Sequence, residues 1–266
     1  MLTHSSGLSD TENPLVQRFF ESKEHNLDVA EDAHKIVELF SMPLLFEPGE
    51  GFAYGASIYW LQLLFTRATE GFVPYIEKNV FQPLGMTASS YMPDSAPHIW
   101  NKRLHMVERK VGSLMSTDDA TQGLMCSMED MGLILGDLVS SQSKLLKPES
   151  IDLLFSDQLS KTARLSLRRQ HDEYKFCTGE LRSGDPPAVT WSFIGLLAED
   201  ALPLSGMPRG TVTWEGMPNV MWAVNRERGL GMLFGTQLLP VGDVTANRLA
   251  NTFMKDAWET SFERTS

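Results

Sequence analysis

The sequence is poor in cysteine. Its 266 residues hold two, Cys126 and Cys177. Two are too few for a disulfide scaffold, and neither sits in a metal-ligand spacing. Both read as reduced thiols. Positive charge is also short: 23 Lys and Arg stand against 34 Asp and Glu, a formal net charge of -11. Such a surface repels phosphate backbones, so nucleic acid is excluded as a partner. No apolar run approaches the roughly 20 residues that a bilayer span needs, so no membrane partner is expected. Met1 to Gly7 lacks a basic stretch followed by an apolar run, and does not read as a signal peptide. A soluble, cytoplasmic protein is the expectation. There is no internal repeat, no low-complexity segment and no Gly-x-Ser-x-Gly elbow, which disfavours an α/β-hydrolase.

What is present is ordinary globular material, 42% hydrophobic and 21% charged. The first 160 or so residues carry helical periodicity. Asp32 to Phe40 places Ile36, Val37, Leu39 and Phe40 near one face, and Pro43, Pro48, Gly49 and Gly51 then break the pattern. Ser57 to Thr69 has Ile58, Leu61, Leu64 and Phe65 at helical spacing, and Val73 to Phe81 is a shorter helix. Pro93 to Gln122 is polar and irregular, the texture of a surface excursion. Ser127 can cap a helix that opens with Glu129 and Asp130 at its positive end. That helix buries Met131, Leu133, Ile134, Leu138 and Val139 on this reading. Pro148 suits the first turn of the next helix.

After Ala188 the texture changes. Ala188 to Ala198 is an apolar run with β-branched and aromatic residues. Thr211 to Trp214, Asn219 to Val224 and Leu230 to Leu238 are short strand candidates. A last helix, Val244 to Phe262, aligns Leu249, Phe253, Ala257 and Trp258. Helices, then consecutive strands, then a helix predict an α+β fold with helices packed on an antiparallel sheet. No linker divides the chain. It reads as a single domain, 1–266, with a mainly helical region (1–187) and a region of sheet strands and C-terminal helix (188–266).

Several blocks carry chemistry. Leu2-Thr3-His4-Ser5-Ser6-Gly7-Leu8 holds a histidine that could act as a base or tie a loop with its ring nitrogens. Pro48-Gly49-Glu50-Gly51-Phe52-Ala53-Tyr54 puts a tyrosine after a rigid turn and before a helix. A phenol held so at a site edge can shuttle a proton. Pro83-Leu84-Gly85-Met86 and Lys144-Leu145-Leu146-Lys147-Pro148-Glu149 are structural blocks. Trp214-Glu215-Gly216-Met217 ends a strand candidate, with a glycine that lets a ligand approach the backbone.

In this order the blocks resemble the serine β-lactamase-related family of class C β-lactamases, esterases and lovastatin-type transesterases. The resemblance covers most of the chain. It implies a β-lactamase/transpeptidase-like fold and acyl transfer through a serine ester. It assigns proton shuttling to Tyr54, the substrate-side strand to Trp214 and Gly216, and half of an oxyanion hole to the N–H of Met217. Lactamases carry Lys-Thr-Gly where this chain has Trp214-Glu215-Gly216. Ala56 stands where the family often has Asn. Both departures tilt the reading from lactams toward a small-molecule acyl ester or thioester. No metal and no organic cofactor is implied.

One departure is larger. The family's nucleophile lies in Ser-x-x-Lys ahead of the block at Leu2, and this sequence has only Met1 there. The one formal match, Ser141-Gln142-Ser143-Lys144, follows a helix rather than opening one. By the resemblance, the first helix and first two strands are also missing. About three strands should then remain, with an open sheet edge that a partner could cover. The reading is a hydrolase or acyltransferase domain incomplete at its N-terminus and inactive alone. The alternatives are a non-catalytic ligand- or partner-binding pseudoenzyme, or an internal Met1 within a longer protein.

Overall fold

Short β-branched and aromatic runs after Ala188 pair into the sheet that organises the molecule. A computed structural model describes residues 1–11, 13–22, 37, 40–92, 96–110, 113–116, 123–169 and 188–263. The sheet has five strands: β5 (Val189–Trp191), β6 (Leu196–Ala198), β7 (Val212–Gly216), β8 (Val220–Asn225) and β9 (Leu230–Phe234). They lie in chain order and every neighbouring pair is antiparallel. The sheet has five strands rather than about three, because Ala188 to Ala198 supplies two and each of the three later strand candidates supplies one. A tight turn divides the Ala188 to Ala198 run, with Ser192 N–H donating to the Gly195 carbonyl at 2.9 Å. Gly195 is needed there, since a methyl group would sit 2.7 Å from the Thr213 carbonyl oxygen.

Helices come first in the chain: α1 (Pro14–Ser22), α2 (Ser57–Ala68), α3 (Phe72–Ile76), which runs through a π-helical turn, Glu77–Phe81, into α4 (Gln82–Leu84), and α5 (Pro97–Trp100). Then follow α6 (Met128–Val139), α7 (Pro148–Leu154), α8 (Lys161–Arg169) and the C-terminal α9 (Val244–Glu263). Ser127 caps α6 as its sequence predicts, accepting the N–H of Asp130. The expected helix at Asp32 to Phe40 lies mostly outside the described residues, as does Cys177. Cys126 is half-buried, and burial, the largest influence, pushes its thiol pKa up.

The described parts of the Pro93–Gln122 excursion, 96–110 and 113–116, are more ordered than its polarity predicts. Within it β2 (Val107–Lys110) and β3 (Ser113–Ser116) form an antiparallel pair, and β10 (Leu238–Leu239) joins β2 in parallel. Most of their residues are exposed or half-buried, so no apolar alternation marks them. A further pair joins β1 (Ser89–Ser90) to β4 (Met125–Cys126).

The main core lies between the sheet, α8 and α9. Trp191, Met207, Met221, Ala223, Met232, Met254 and Trp258 are buried there. On α9 the buried stripe is Ala246, Ala250, Met254 and Trp258. Leu249 and Phe253, expected inside, are exposed on its flank. On α6 the buried positions are Asp130, Leu135 and Asp137, while Leu133 faces out. Asp130 is inside because it accepts the Ala88 N–H and the Ser89 hydroxyl, both at 2.7 Å. On α2, Ile58 and Leu64 are likewise exposed and Leu63 is buried.

Trp258 fills the base of the core, and its indole N–H has no hydrogen-bond partner among the described residues. Trp258→Ala should therefore cost about 3–5 kcal/mol. Trp258→Phe, which keeps most of the packing and strands no polar group, should cost much less. Urea unfolding of the two variants checks the ordering.

Candidate functional site

Two stretches far apart in sequence lace together at one end of the sheet. The N-terminal turn runs beside the Pro-Gly-Tyr loop: Leu45 N–H donates to Gly7 O, Gly49 to Ser5 O, Ala53 to His4 O and Ala56 to Ser9 O. Close backbone approach requires glycine on each side. A methyl group on Gly7 (φ 89°) would lie 2.3 Å from the Phe46 carbonyl oxygen. One on Gly55 (φ 143°) would lie 2.2 Å from the Asp10 nitrogen. The lacing fixes Tyr54 just ahead of α2.

His4 is the tie in this junction. It is 6% exposed and held at φ 52°. Its Nδ1 accepts the Gly55 N–H at 3.3 Å, and the Ser57 hydroxyl lies 3.4 Å away. The Ser57 hydroxyl itself donates to the Met1 carbonyl at 2.9 Å. The imidazole packs against the Tyr54 ring, centroids 4.5 Å apart, and meets Phe52 and Trp191 edge-on. Burial, followed by the positive charge of the Met1 amino group, lowers its pKa from 6.5 to about 4. The ring is thus neutral at pH 7, with Nδ1 already engaged, and it orders Tyr54.

The third strand completes the constellation. Trp214, on β7, donates its Nε1–H to the Tyr54 phenol oxygen at 3.1 Å. Their ring centroids are 5.1 Å apart. Trp191 crosses Trp214 edge-to-face at 4.5 Å. Tyr54 therefore sits in an aromatic wall of His4, Phe52, Trp191 and Trp214. Phe52 and Trp191 were not among the site residues read from sequence. Their signals were ordinary apolar positions, one in the Tyr54 block and one in a strand.

Gly216 ends β7 and Met217 follows it in the turn to β8. A methyl group on Gly216 would make only ordinary contacts, at 3.8 Å or more. Nothing inside the described protein demands glycine there. Asn219 anchors this turn in the left-handed region, φ 56°. Its amide donates to Leu238 O and Pro240 O and accepts from the N–H groups of Gly242 and Asp243. The structure thus joins Tyr54 to Trp214 directly, with Gly216 on the same strand and Met217 in the turn that follows it. The Ser141–Lys144 match falls in the loop after α6. There the Ser143 hydroxyl and the Lys144 N–H bind Asp137, a polar turn. Among the described residues no group of three His, Cys, Asp or Glu is placed to hold a metal.

The family model described as Beta-lactamase matches residues 1–252, and the chain belongs to that family. Among curated proteins it is 31% identical over 280 residues to the acyltransferase calJ of Penicillium decumbens, covering 97% of this chain and 65% of that protein. It is 26% identical over 273 residues to the monacolin J acid methylbutanoyltransferase of Aspergillus terreus, covering 95% and 64%. Among solved structures it resembles unliganded simvastatin synthase (LovD) from Aspergillus terreus, with TM-score 0.85 and 25% identity over 97% of this chain and 66% of that one. The chain spans about 65% of the length of the curated relatives it matches. No helix among the described residues is long and apolar enough to cross a membrane.

The His4 pKa has a consequence for stability. Below pH 6.5 the unfolded chain takes up a proton that the folded protein refuses until about pH 4. Stability from this group is complete above pH 6.5, falls by about 3 kcal/mol as pH drops toward 4, and then levels. Urea unfolding of wild type and His4→Gln across pH 7 to 4 tests it. The difference between their slopes, not their absolute stabilities, should carry this term.

Proposed function

We propose that this chain forms the proton-handling and substrate-side walls of an acyl-transfer site of the esterase and transesterase type. The Trp214–Tyr54 hydrogen bond carries the reading. A donor on the phenol oxygen steadies the charge that forms when the proton leaves. In acyl transfer through a serine ester, Tyr54 shuttles the proton between nucleophile, leaving group and acceptor. The Met217 N–H supplies half of the oxyanion hole, and a nucleophile's own N–H supplies the other half. The acceptor is water or an alcohol. The substrate is a small acyl ester or thioester, since an apolar aromatic wall and an indole stand where a lactam-cleaving site carries a lysine. The names of the relatives, acyltransferases and a lovastatin esterase, support the same class.

The attacking serine is not among these residues. The chain alone should therefore bind an acyl ester without turning it over, and the pseudoenzyme reading shares this expectation for the isolated polypeptide. Expected results are p-nitrophenyl butyrate hydrolysis at background and quenching of indole fluorescence by ethyl butyrate, lost in Trp214→Phe. Turnover well above background that disappears in Tyr54→Phe would show a nucleophile inside the chain. Absence of any ester binding would remove the pocket itself.

A further inference from the structure

Residues 157–168, the loop ahead of α8 and most of the helix, touch both walls of the site. On one side they hold the loop that carries Tyr54. Ser160, which caps α8 by accepting the Ala163 N–H at 3.0 Å, donates its hydroxyl to Gly49 O at 2.6 Å. Ser166 donates to Phe52 O at 3.4 Å. On the other side they hold β5, the strand of Trp191. The Gln158 N–H donates to Trp191 O at 3.0 Å, the Arg168 Nε–H to Val189 O at 3.2 Å, and the Thr190 hydroxyl to the Asp157 carboxylate. Ala163 and Leu167 of α8 are buried in the same core as Phe52 and Trp191.

Charge fastens the helix between these walls. The Arg164 guanidinium forks: Nη1 binds Glu199 at 2.7 Å and Nη2 binds Asp157. Arg168 binds the second Glu199 oxygen at 2.5 Å. Asp157 precedes α8 and Glu199 follows β6, so the network joins a loop, a helix and the sheet. Its four side chains are 26–33% exposed, too wet for the pairs to add much stability. Direction is what they supply. Apolar burial of Ala163 and Leu167 is non-directional and tolerates a small slide of α8. A planar guanidinium held by two carboxylates from different elements tolerates little.

We propose that Arg164 is a positioning residue for the Tyr54–Trp214 pair. With Asp157 and Glu199 it sets the place of α8, and α8 sets the distance between the Tyr54 loop and the tryptophans of β5 and β7. It meets no substrate. It acts through Gly49 and Phe52 on one wall and through Thr190 and Trp191 on the other. Trp191 meets Trp214 edge-to-face at 4.5 Å, so a displaced β5 displaces the indole that holds the phenol. The indole–phenol bond spans 3.1 Å. Roughly 0.5 Å of slack is enough to break it. The bearing on acyl transfer rests on the function proposed above, while the positioning itself is measured without substrate.

The test labels the six tryptophans of the full chain with nitrogen-15 and follows their indole N–H signals by NMR. Trp214→Phe identifies the Trp214 signal, and Tyr54→Phe gives its position with the hydrogen bond absent. Arg164→Met is expected to move the signal at least halfway to that position and to weaken ethyl butyrate binding about tenfold. Arg164→Lys keeps the charge but not the fork, and should fall between wild type and Arg164→Met. Phe81→Leu, in a separate core cluster with Leu84 and Met86, controls for lost stability and should leave the signal in place. If Arg164→Met does not fold, Glu199→Gln, which leaves Arg164 paired with Asp157, is compared in its place. A Trp214 signal that these variants leave unmoved overturns the proposal, and so does one that Phe81→Leu moves as far. Ester binding that Arg164→Met retains in full also overturns it. If wild type binds no ester but the signal moves as expected, the acyl-transfer reading fails and the positioning stands.

Discussion

One hydrogen bond, from the Trp214 indole to the Tyr54 phenol, joins residues 160 positions apart and sets the geometry of everything near it. Each partner needs its own support. Tyr54 depends on the lacing of Met1–Ser9 along Leu45–Ala56, where Gly7 and Gly55 permit the contact and His4 packs beneath the ring. Trp214 depends on the sheet: Trp191 braces it from β5, and its β7 neighbours are paired with β6 and β8. The phenol is thus positioned by two separately built walls, so its orientation costs little further ordering.

Polarity is arranged sparingly around this junction. His4 brings an imidazole into an aromatic setting but stays uncharged, because burial disfavours the protonated ring. The wall therefore adds shape and one directed N–H donor rather than a cation. Beyond it, Asn219 fastens the β7–β8 turn to the segment that leads into α9 through four hydrogen bonds. Asp243, in that segment, accepts the first N–H groups of α9 and pairs with Arg109 at 2.5 Å. The turn that bears Met217 is consequently tied to the same end of the molecule as β2 and β10. A backbone N–H aimed at a ligand needs such a fixed turn.

The family blocks, the α+β class and the five-stranded sheet's last three strands were legible in sequence. Their signals are local: turn glycines, a Pro-Gly-Tyr junction, alternating or continuous apolar runs. Misjudged features had non-local causes. Leu133, Leu249 and Phe253 have the spacing of core residues yet are exposed. Periodicity states which residues share a face, but not whether another element covers it. The β2–β3 pair was hidden because strand edges made of Val107, Glu108, Arg109 and Lys110 have a polar pattern. Asp130 and Asp137 are buried because hydrogen-bond donors from the β1 strand and the α6–α7 loop reach them.

Sequence alone determined which chemical groups these residues bring: a tyrosine behind a rigid turn and a Trp-x-Gly strand end. Those are covalent facts and short-range steric ones. Tertiary structure alone decided that the tyrosine meets Trp214, that His4 lies neutral beneath it, and that Phe52 and Trp191 close the wall. It also decided that the β5 edge of the sheet is met by Arg168 and Gln158. The physical reason is that burial and pairing depend on distant segments arriving together, and a residue's own neighbours in the chain carry no record of that arrival.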